Sequence, residues 1–149
     1  LAGWGTDGPG ARAAINRGGL EGMVLGLGYR ADVPLLLSAL DVAVVPSLDE
    51  AAGIALVEAM AAGLPVAASD VGGIPEVMGE TGVRVAPGDA GALASAISHL
   101  LDDADEASRL GEAARVRAVR EFGGAALAAR TVARYEAALA RRRKANGKL

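Results

Sequence analysis

Residues Asp41 to Asp70 read as strand, loop, helix, turn and strand, and that order restricts the fold more than any other feature of the chain. Asp41-Val-Ala-Val-Val45 is a short β-branched apolar run stopped by Pro46, the mark of a buried strand. Gly53 to Ala62 combines good helix formers with apolar residues at helical spacing. Gly63 stands where a left-handed helix cap belongs, and Pro65 prevents continuation. Val66 to Ala68 then resumes a strand. Two strands joined through a helix lie parallel, with the connecting loop at the carboxyl end of the first. The fold expected is therefore α/β: a Rossmann-like parallel sheet with helices on both faces.

The loop from Pro46 to Gly53 is where chemistry would sit. A helix starting near Gly53 offers unpaired amides and the positive end of its dipole, which together suit an anion. Gly53 allows backbone to approach a ligand closely. Glu50 lies on the loop and Glu58 lies one and a half turns into the helix, so two carboxylates flank one amide cluster. A carboxylate accepts two hydrogen bonds at once and suits the vicinal hydroxyls of a ribose or a sugar ring.

Composition narrows the function classes. Aromatic residues make up only 3% against 52% hydrophobic, so the core must be built from Ala, Val, Leu and Ile, as layered α/β folds allow. Cysteine is absent, which removes disulfides and thiolate metal sites. Residues 1–100 hold four basic side chains (Arg12, Arg17, Arg30 and Arg84) against eleven acidic ones. Residues 101–149 hold eleven basic against seven acidic. An acidic body argues against nucleic-acid binding. It also leaves few side-chain cations to meet a phosphate, so the amides near Gly53 would carry more of that work. Apolar windows are broken by Asp41, Glu58, Gly63 and Pro65, so no transmembrane helix is expected. The chain opens Leu-Ala-Gly-Trp without a methionine, as a piece of something longer would.

Around the central unit the reading is as follows. Leu1 to Gly3 reads as the end of a strand, and Gly3-Trp4-Gly5-Thr6-Asp7-Gly8 matches G-x-G-x-x-G. A dinucleotide site needs a visible strand before those glycines and an acid about twenty residues on. Pro9-Gly10 follow at once and Asp32 is a poor fit, so a strand-to-helix loop is the better reading, with Trp4 a partly exposed packing residue. Ala11 to Arg17 is a short helix ended by Gly18-Gly19, and Met23 to Leu27 a strand. Gly28-Tyr29-Arg30 at its carboxyl end would line the crevice, or form an ordinary loop with a solvated Arg. Val33 to Leu40 is a helix opened by Asp32 as N-cap. Gly72-Gly73 turn into a short helix through Met78 and would offer amides to a ligand, and Glu76 suits that helix's first turn. Gly82 to Ala86 is a strand, and Asp89 caps a helix from Ala90 to Leu101.

His99, the only histidine, sits near that helix's end, where structural roles outweigh catalytic ones and no second ligand suggests a metal. Asp102, Asp103, Asp105 and Glu106 read as a solvated linker and helix cap. Asp105 to Glu121 and Gly124 to Arg143 are helices with Ala and Arg in excess; Glu112 is spaced to meet Arg115 or Arg117, and Tyr135 and Leu139 share a face and should pack. Arg141-Arg142-Arg143-Lys144 is a basic tail, suited to an anionic lipid surface or to a frayed, solvated terminus. Residues 1–122 are expected to form the Rossmann-like domain, incomplete at its start, and 123–149 a terminal helix with that tail.

The run from Pro46 to Val66 resembles the E-x7-E motif of the retaining glycosyltransferases of family 4, with Glu50 and Glu58 as its two acids. Asp70-Val-Gly72-Gly73-Ile74-Pro75-Glu76-Val77 resembles that family's next motif, and Asp32-Val33-Pro34 through Asp41 the segment before. The likeness extends over roughly residues 1 to 135. It implies the carboxyl-terminal, donor-binding half of a GT-B fold, with a preceding acceptor domain absent from this sequence. It implies that Glu58 binds the ribose diol and that Glu50 meets the hydroxyls of the transferred sugar, at the catalytic centre. The amides of Ala52, Gly53 and Ile54 would hold the diphosphate, and Gly28, Tyr29 and Arg30 would lie beside the base. The donor would be a UDP- or GDP-sugar, with no metal or other cofactor, in the cytoplasm or at its membrane face. Ala52 departs from the bulkier residue usual in the family, which alters the sugar pocket. A non-catalytic nucleotide-sugar-binding or scaffold module, and a dinucleotide oxidoreductase resting on Gly3, Gly5 and Gly8, are the alternatives.

Overall fold

A computed structural model describes residues 1–3 and 5–146, with side chains through Arg142. Trp4 and the side chains of Arg143 and Lys144, both part of the expected basic tail, lie outside the described residues. The chain divides into two compact units, Leu1–Leu36 and Leu37–Leu149.

In the first unit, α1 (Pro9–Arg17) follows the glycine-rich loop. Met23 to Leu27 does not form the expected strand but a turn running into extended backbone. Its bonds are nonetheless those of a parallel pair opposite Gly26: the Leu1 amine donates to the Leu25 carbonyl, and the Leu27 amide donates to the Leu1 carbonyl. The Gly3 amide donates to the Gly28 carbonyl, and the Gly28 amide donates to Thr6 Oγ1. These few bonds order the segment without a ladder long enough for a regular strand. The helix expected to reach Leu40 is shorter, α2 (Val33–Leu37), and runs across the division between the units.

The second unit holds a parallel sheet in the order β1-β2-β3, made of β1 (Ala43–Val45), β2 (Val66–Ser69) and β3 (Val83–Val85). Ala43, Val44 and Val45 lie opposite Val66, Ala67 and Ala68. Ala67, Ala68 and Ser69 lie opposite Val83, Arg84 and Val85. Every residue of β2 is buried, as a central parallel strand covered on both faces requires. Its side chains alternate between two cores. Val66 and Ala68 meet α3 (Ile54–Ala61), α4 (Ile74–Met78) and α6 (Ala104–Phe122) through Leu56, Met60, Ile74, Met78 and Ala114. Ala67 faces the other way, onto Ala96 and Leu100 of α5 (Ala90–Asp102) and Leu110 of α6. Leu56, Met60, Ile74 and Met78 are fully enclosed, and burial of such side chains stabilises by about 1.5–3 kcal/mol each. Helices thus cover both faces, as the sequence leads one to expect.

Small residues let α6 come close to the turn after α3. A Cβ on Gly111 would stand 2.3 Å from the Gly63 carbonyl oxygen, and Ala114 and Ala118 continue the same face. Asp89 and Asp103 cap α5 and α6 by accepting from the amides of Ala92 and Glu106. The terminal helix α7 (Gly124–Asn146) is anchored at its start, where Arg130 donates to the Glu121 carbonyl and its guanidinium lies 5.8 Å from the centre of the Phe122 ring. Tyr135 and Leu139 do not pack as expected; both are exposed. Arg117 does not turn to Glu112 but to Glu121 and to α4.

Gly111→Ala should therefore cost on the order of 1–3 kcal/mol through overpacking, a fall of about 3 °C in Tm for each kcal/mol. Gly91→Ala, whose Cβ would meet nothing closer than 3.5 Å, should stabilise by roughly half a kcal/mol. Thermal melts of both variants check this; equal effects would contradict the packing.

Candidate functional site

The loop between β1 and α3 leaves the carboxyl end of the sheet, where parallel α/β folds present ligands to helix N-termini. Its shape depends on Glu50. The carboxylate accepts from the Gly53 amide at 3.1 Å through Oε1 and from the Ser47 hydroxyl at 3.3 Å through Oε2. A single half-buried side chain thus ties the loop's entry to the first residue before the helix. These two bonds to the Glu50 side chain lie outside the expectations above.

Gly53 is the N-cap of α3 with φ 64° and ψ 52°, a left-handed conformation that costs an L side chain about 1–2 kcal/mol. Among the described residues, the amides of Ala52 and Ile54 have no protein acceptor, whereas that of Gly53 is engaged by Glu50. Of three amides expected at a diphosphate, two are therefore open and one is committed to the loop. Ala52 and Ile54 are exposed beside them.

Glu58 lies on the exposed side of α3 with Ile54, one turn before it, while Leu56, Ala59 and Met60 take the core side. Helical side chains lean toward the N-terminus, and Glu58 stands on the exposed face one turn after Ile54, on the side of the helix that leads to those amides. Glu50 and Glu58 are thus both attached to the same helix start, one beneath it as a loop staple and one on its outer face.

A second turn supports the loop from the side. The Gly73 amide donates to the Glu50 carbonyl at 3.0 Å, so it is not an open donor as expected. Gly72 has φ 56°, and a Cβ on it would stand 1.8 Å from the Glu50 carbonyl oxygen. Glu76 is exposed in the first turn of α4.

In the first unit, Gly28 is buried with φ 63°, Tyr29 is exposed and Arg30 makes a two-pronged hydrogen bond to Asp32. That hydrogen bond holds the Asp32 carboxyl below its ordinary range and the Arg30 guanidinium above its own. Arg30 is exposed, as a solvated Arg would be, but paired with Asp32. Arg84, the sole Arg or Lys between Arg30 and Arg109 in the sequence, pairs with Asp70 at 3.5 Å and Glu80 at 3.3 Å. The amides at the start of α3 consequently face an anion with little help from nearby cations of the second unit.

A cavity of about 440 Å³ opens at the other end of the sheet, beside Asp41, Gly63, Pro65 and Glu112. Its charged lining is two carboxylates and no cation, which disfavours an anionic ligand. No described group of three His, Cys, Asp or Glu could hold a metal ion. Among the described residues no helix is long and apolar enough to cross a membrane.

The glycines on this loop differ in what they permit. Gly53→Ala should be tolerated at about 1–2 kcal/mol, since its Cβ would meet Leu56 Cβ at 3.3 Å. Gly72→Ala must displace the Glu50 backbone and should lower Tm by several degrees more. Equal melting temperatures for the two variants would contradict the contact.

Known proteins converge on this arrangement. The family described as glycosyl transferases group 1 matches residues 1–103. The MMP alpha-(1->4)-mannosyltransferase of Mycolicibacterium hassiacum is 43% identical over 113 residues, 74% of this chain and 28% of that protein. Among solved structures, sucrose-phosphate synthase from Thermosynechococcus elongatus superposes with a TM-score of 0.80 at 36% identity, covering 87% of this chain and 34% of that one. Anabaena HepE in complex with UDP superposes at 0.83 and 29% identity, covering 92% and 40%. The chain thus spans between 28% and 40% of the length of these relatives. The neighbours are GT-B glycosyltransferase domains, and the sheet described above is the Rossmann-like arrangement they share.

Proposed function

The chain belongs to the glycosyl transferases of group 1, and from that membership we propose that it is the donor-binding domain of an enzyme that transfers a sugar from a nucleoside diphosphate to an acceptor. The observation that carries the reading is the start of α3: two open amides, an outward Glu58 and a Glu50-stapled loop at the carboxyl end of a parallel sheet. A diphosphate would take the amides of Ala52 and Ile54, where the helix dipole also favours negative charge. Gly53 would join them if Glu50 releases its amide to turn toward the hydroxyls of the transferred sugar. Glu58 would accept from the ribose diol.

In the reaction, the bond from the anomeric carbon to the diphosphate oxygen breaks and its electron pair leaves with the nucleoside diphosphate. The acceptor oxygen bonds to the same carbon, and its proton passes to the departing diphosphate or to solvent. Amides aimed at the departing oxygen stabilise the charge that grows there. Retention of configuration, and membership of family 4 within the wider group, are part of this proposal and rest on the resemblance of the Glu50 to Glu58 run to that family's E-x7-E motif. HepE crystallises with UDP and with UDP-glucose, which favours a uridine diphosphate sugar for this chain. Acceptor binding, and closure over it, are assigned to the remainder of a longer protein, on the cytoplasmic side and near the membrane if the basic tail meets anionic lipid.

Calorimetric titration of the chain with UDP and UDP-glucose tests the assignment. Glu58→Ala should weaken UDP by roughly tenfold or more, the loss of a charge-assisted hydrogen bond worth about 1.5–3 kcal/mol. Glu50→Gln should affect UDP-glucose more than UDP. Binding of NAD in preference to both, unchanged by Glu58→Ala, would overturn the reading.

A further inference from the structure

We propose that Arg117, on the opposite side of the α4 strut from the loop, is a positioning residue for the donor loop; this rests on the donor reading above. Arg117 reaches from α6 to the carboxyl end of α4. Its Nε donates to the Val77 carbonyl at 2.8 Å, and one terminal nitrogen donates to the Glu76 carbonyl at 2.7 Å. The other terminal nitrogen donates to Glu121 at 3.1 Å. A guanidinium at the last carbonyls of a helix satisfies acceptors that have no intrahelical donor and complements the negative end of the dipole.

Helix α4 is only five residues long and its inner side chains Ile74, Val77 and Met78 are buried, so it has little freedom to flex internally. A shift at its carboxyl end is carried to its amino end. There Gly73 donates to the Glu50 carbonyl, and the backbones are too close for side chains: a Cβ on Gly73 would lie 2.3 Å from the Ala51 carbonyl oxygen. Glu50 in turn holds the Gly53 amide. The path is therefore continuous: Arg117, the α4 carbonyls, Gly73, the Glu50 backbone, the Glu50 carboxylate and Gly53. The carboxyl end of α4 also fits the guanidinium closely, since a Cβ on Gly79 would stand 3.2 Å from the Arg117 Cζ. Lysine, a single point donor, cannot replace the fork that spans two carbonyls.

The test is residue-resolved amide exchange on the chain, combined with UDP titration, for Arg117→Met, Arg117→Lys and the control Arg109→Met. Arg109 is on the same helix but exposed and, among the described residues, paired with Glu106 alone. Arg117→Met should raise exchange at Gly73 and Gly53 at least tenfold, leave Ala67 and Ala68 in β2 protected, and weaken UDP three- to tenfold. Arg117→Lys should fall between wild type and Arg117→Met, and Arg109→Met should change neither readout. Unchanged exchange at Gly73 and Gly53 would overturn the proposal. So would exchange rising equally in β2, which marks a general anchor of the fold. A wild-type chain that binds no UDP yet shows the localised exchange would reject the donor reading while supporting the strut.

Discussion

The close approach of the turn after β2 to the loop after β1 governs the rest of this molecule. Gly72 and Gly73 lie against the backbone of Glu50 and Ala51 with no room for a Cβ on either, and the Gly73 amide bonds the Glu50 carbonyl. The contact fixes a loop that would otherwise be free at the carboxyl end of the sheet. Only with its backbone fixed can the Glu50 carboxylate meet the Gly53 amide, hold that residue in its left-handed conformation and set the direction of the amides that start α3. The contact is local in space, yet it joins segments more than twenty residues apart. It therefore requires that β1 and β2 pair in the right register, with Ala43 opposite Val66.

The electrostatic design follows from a shortage of cations. In a body with this much acid, Arg84 is bound to Asp70 and Glu80 and Arg30 to Asp32. At the start of α3, fixed dipoles are a means of holding negative charge that needs no cation. Backbone amides have an advantage for a leaving diphosphate, because they are oriented before charge develops and require no reorganisation. The same shortage separates the two ends of the sheet. The cavity beside Asp41 and Glu112 repels an anion, whereas the start of α3 attracts one.

Much of the second unit was legible in the sequence. The apolar run from Val66, the Gly63 and Pro65 stop signals and the Asp89 cap correspond to β2, the end of α3 and the start of α5, because each is set by short-range physics. Less was legible where pairing decides. Met23 to Leu27 has a strand's composition, but its ladder bonds are confined to Leu1 and Gly3, and composition cannot report that. The side-chain partners of the site were hidden for a similar reason. Nothing in the sequence links Arg117 to Val77, forty residues earlier. Nor does it reveal that Gly73 and Gly53 give their amides to Glu50 rather than to solvent. Tyr135 and Leu139 share a helical face yet remain exposed, since a shared face is a condition for packing and not its cause.

The account's central claim is that the beginning of α3 is an anion seat built from backbone. Mapping amide chemical shifts while UDP is added to the chain addresses it most directly. The account predicts the largest shifts at Ala52, Gly53, Ile54 and Ala55, with Glu58 next and β2 unmoved. Saturable shifts centred instead on the face of α6 around Arg109 and Arg120, or around Asp41 and Glu112, would contradict it.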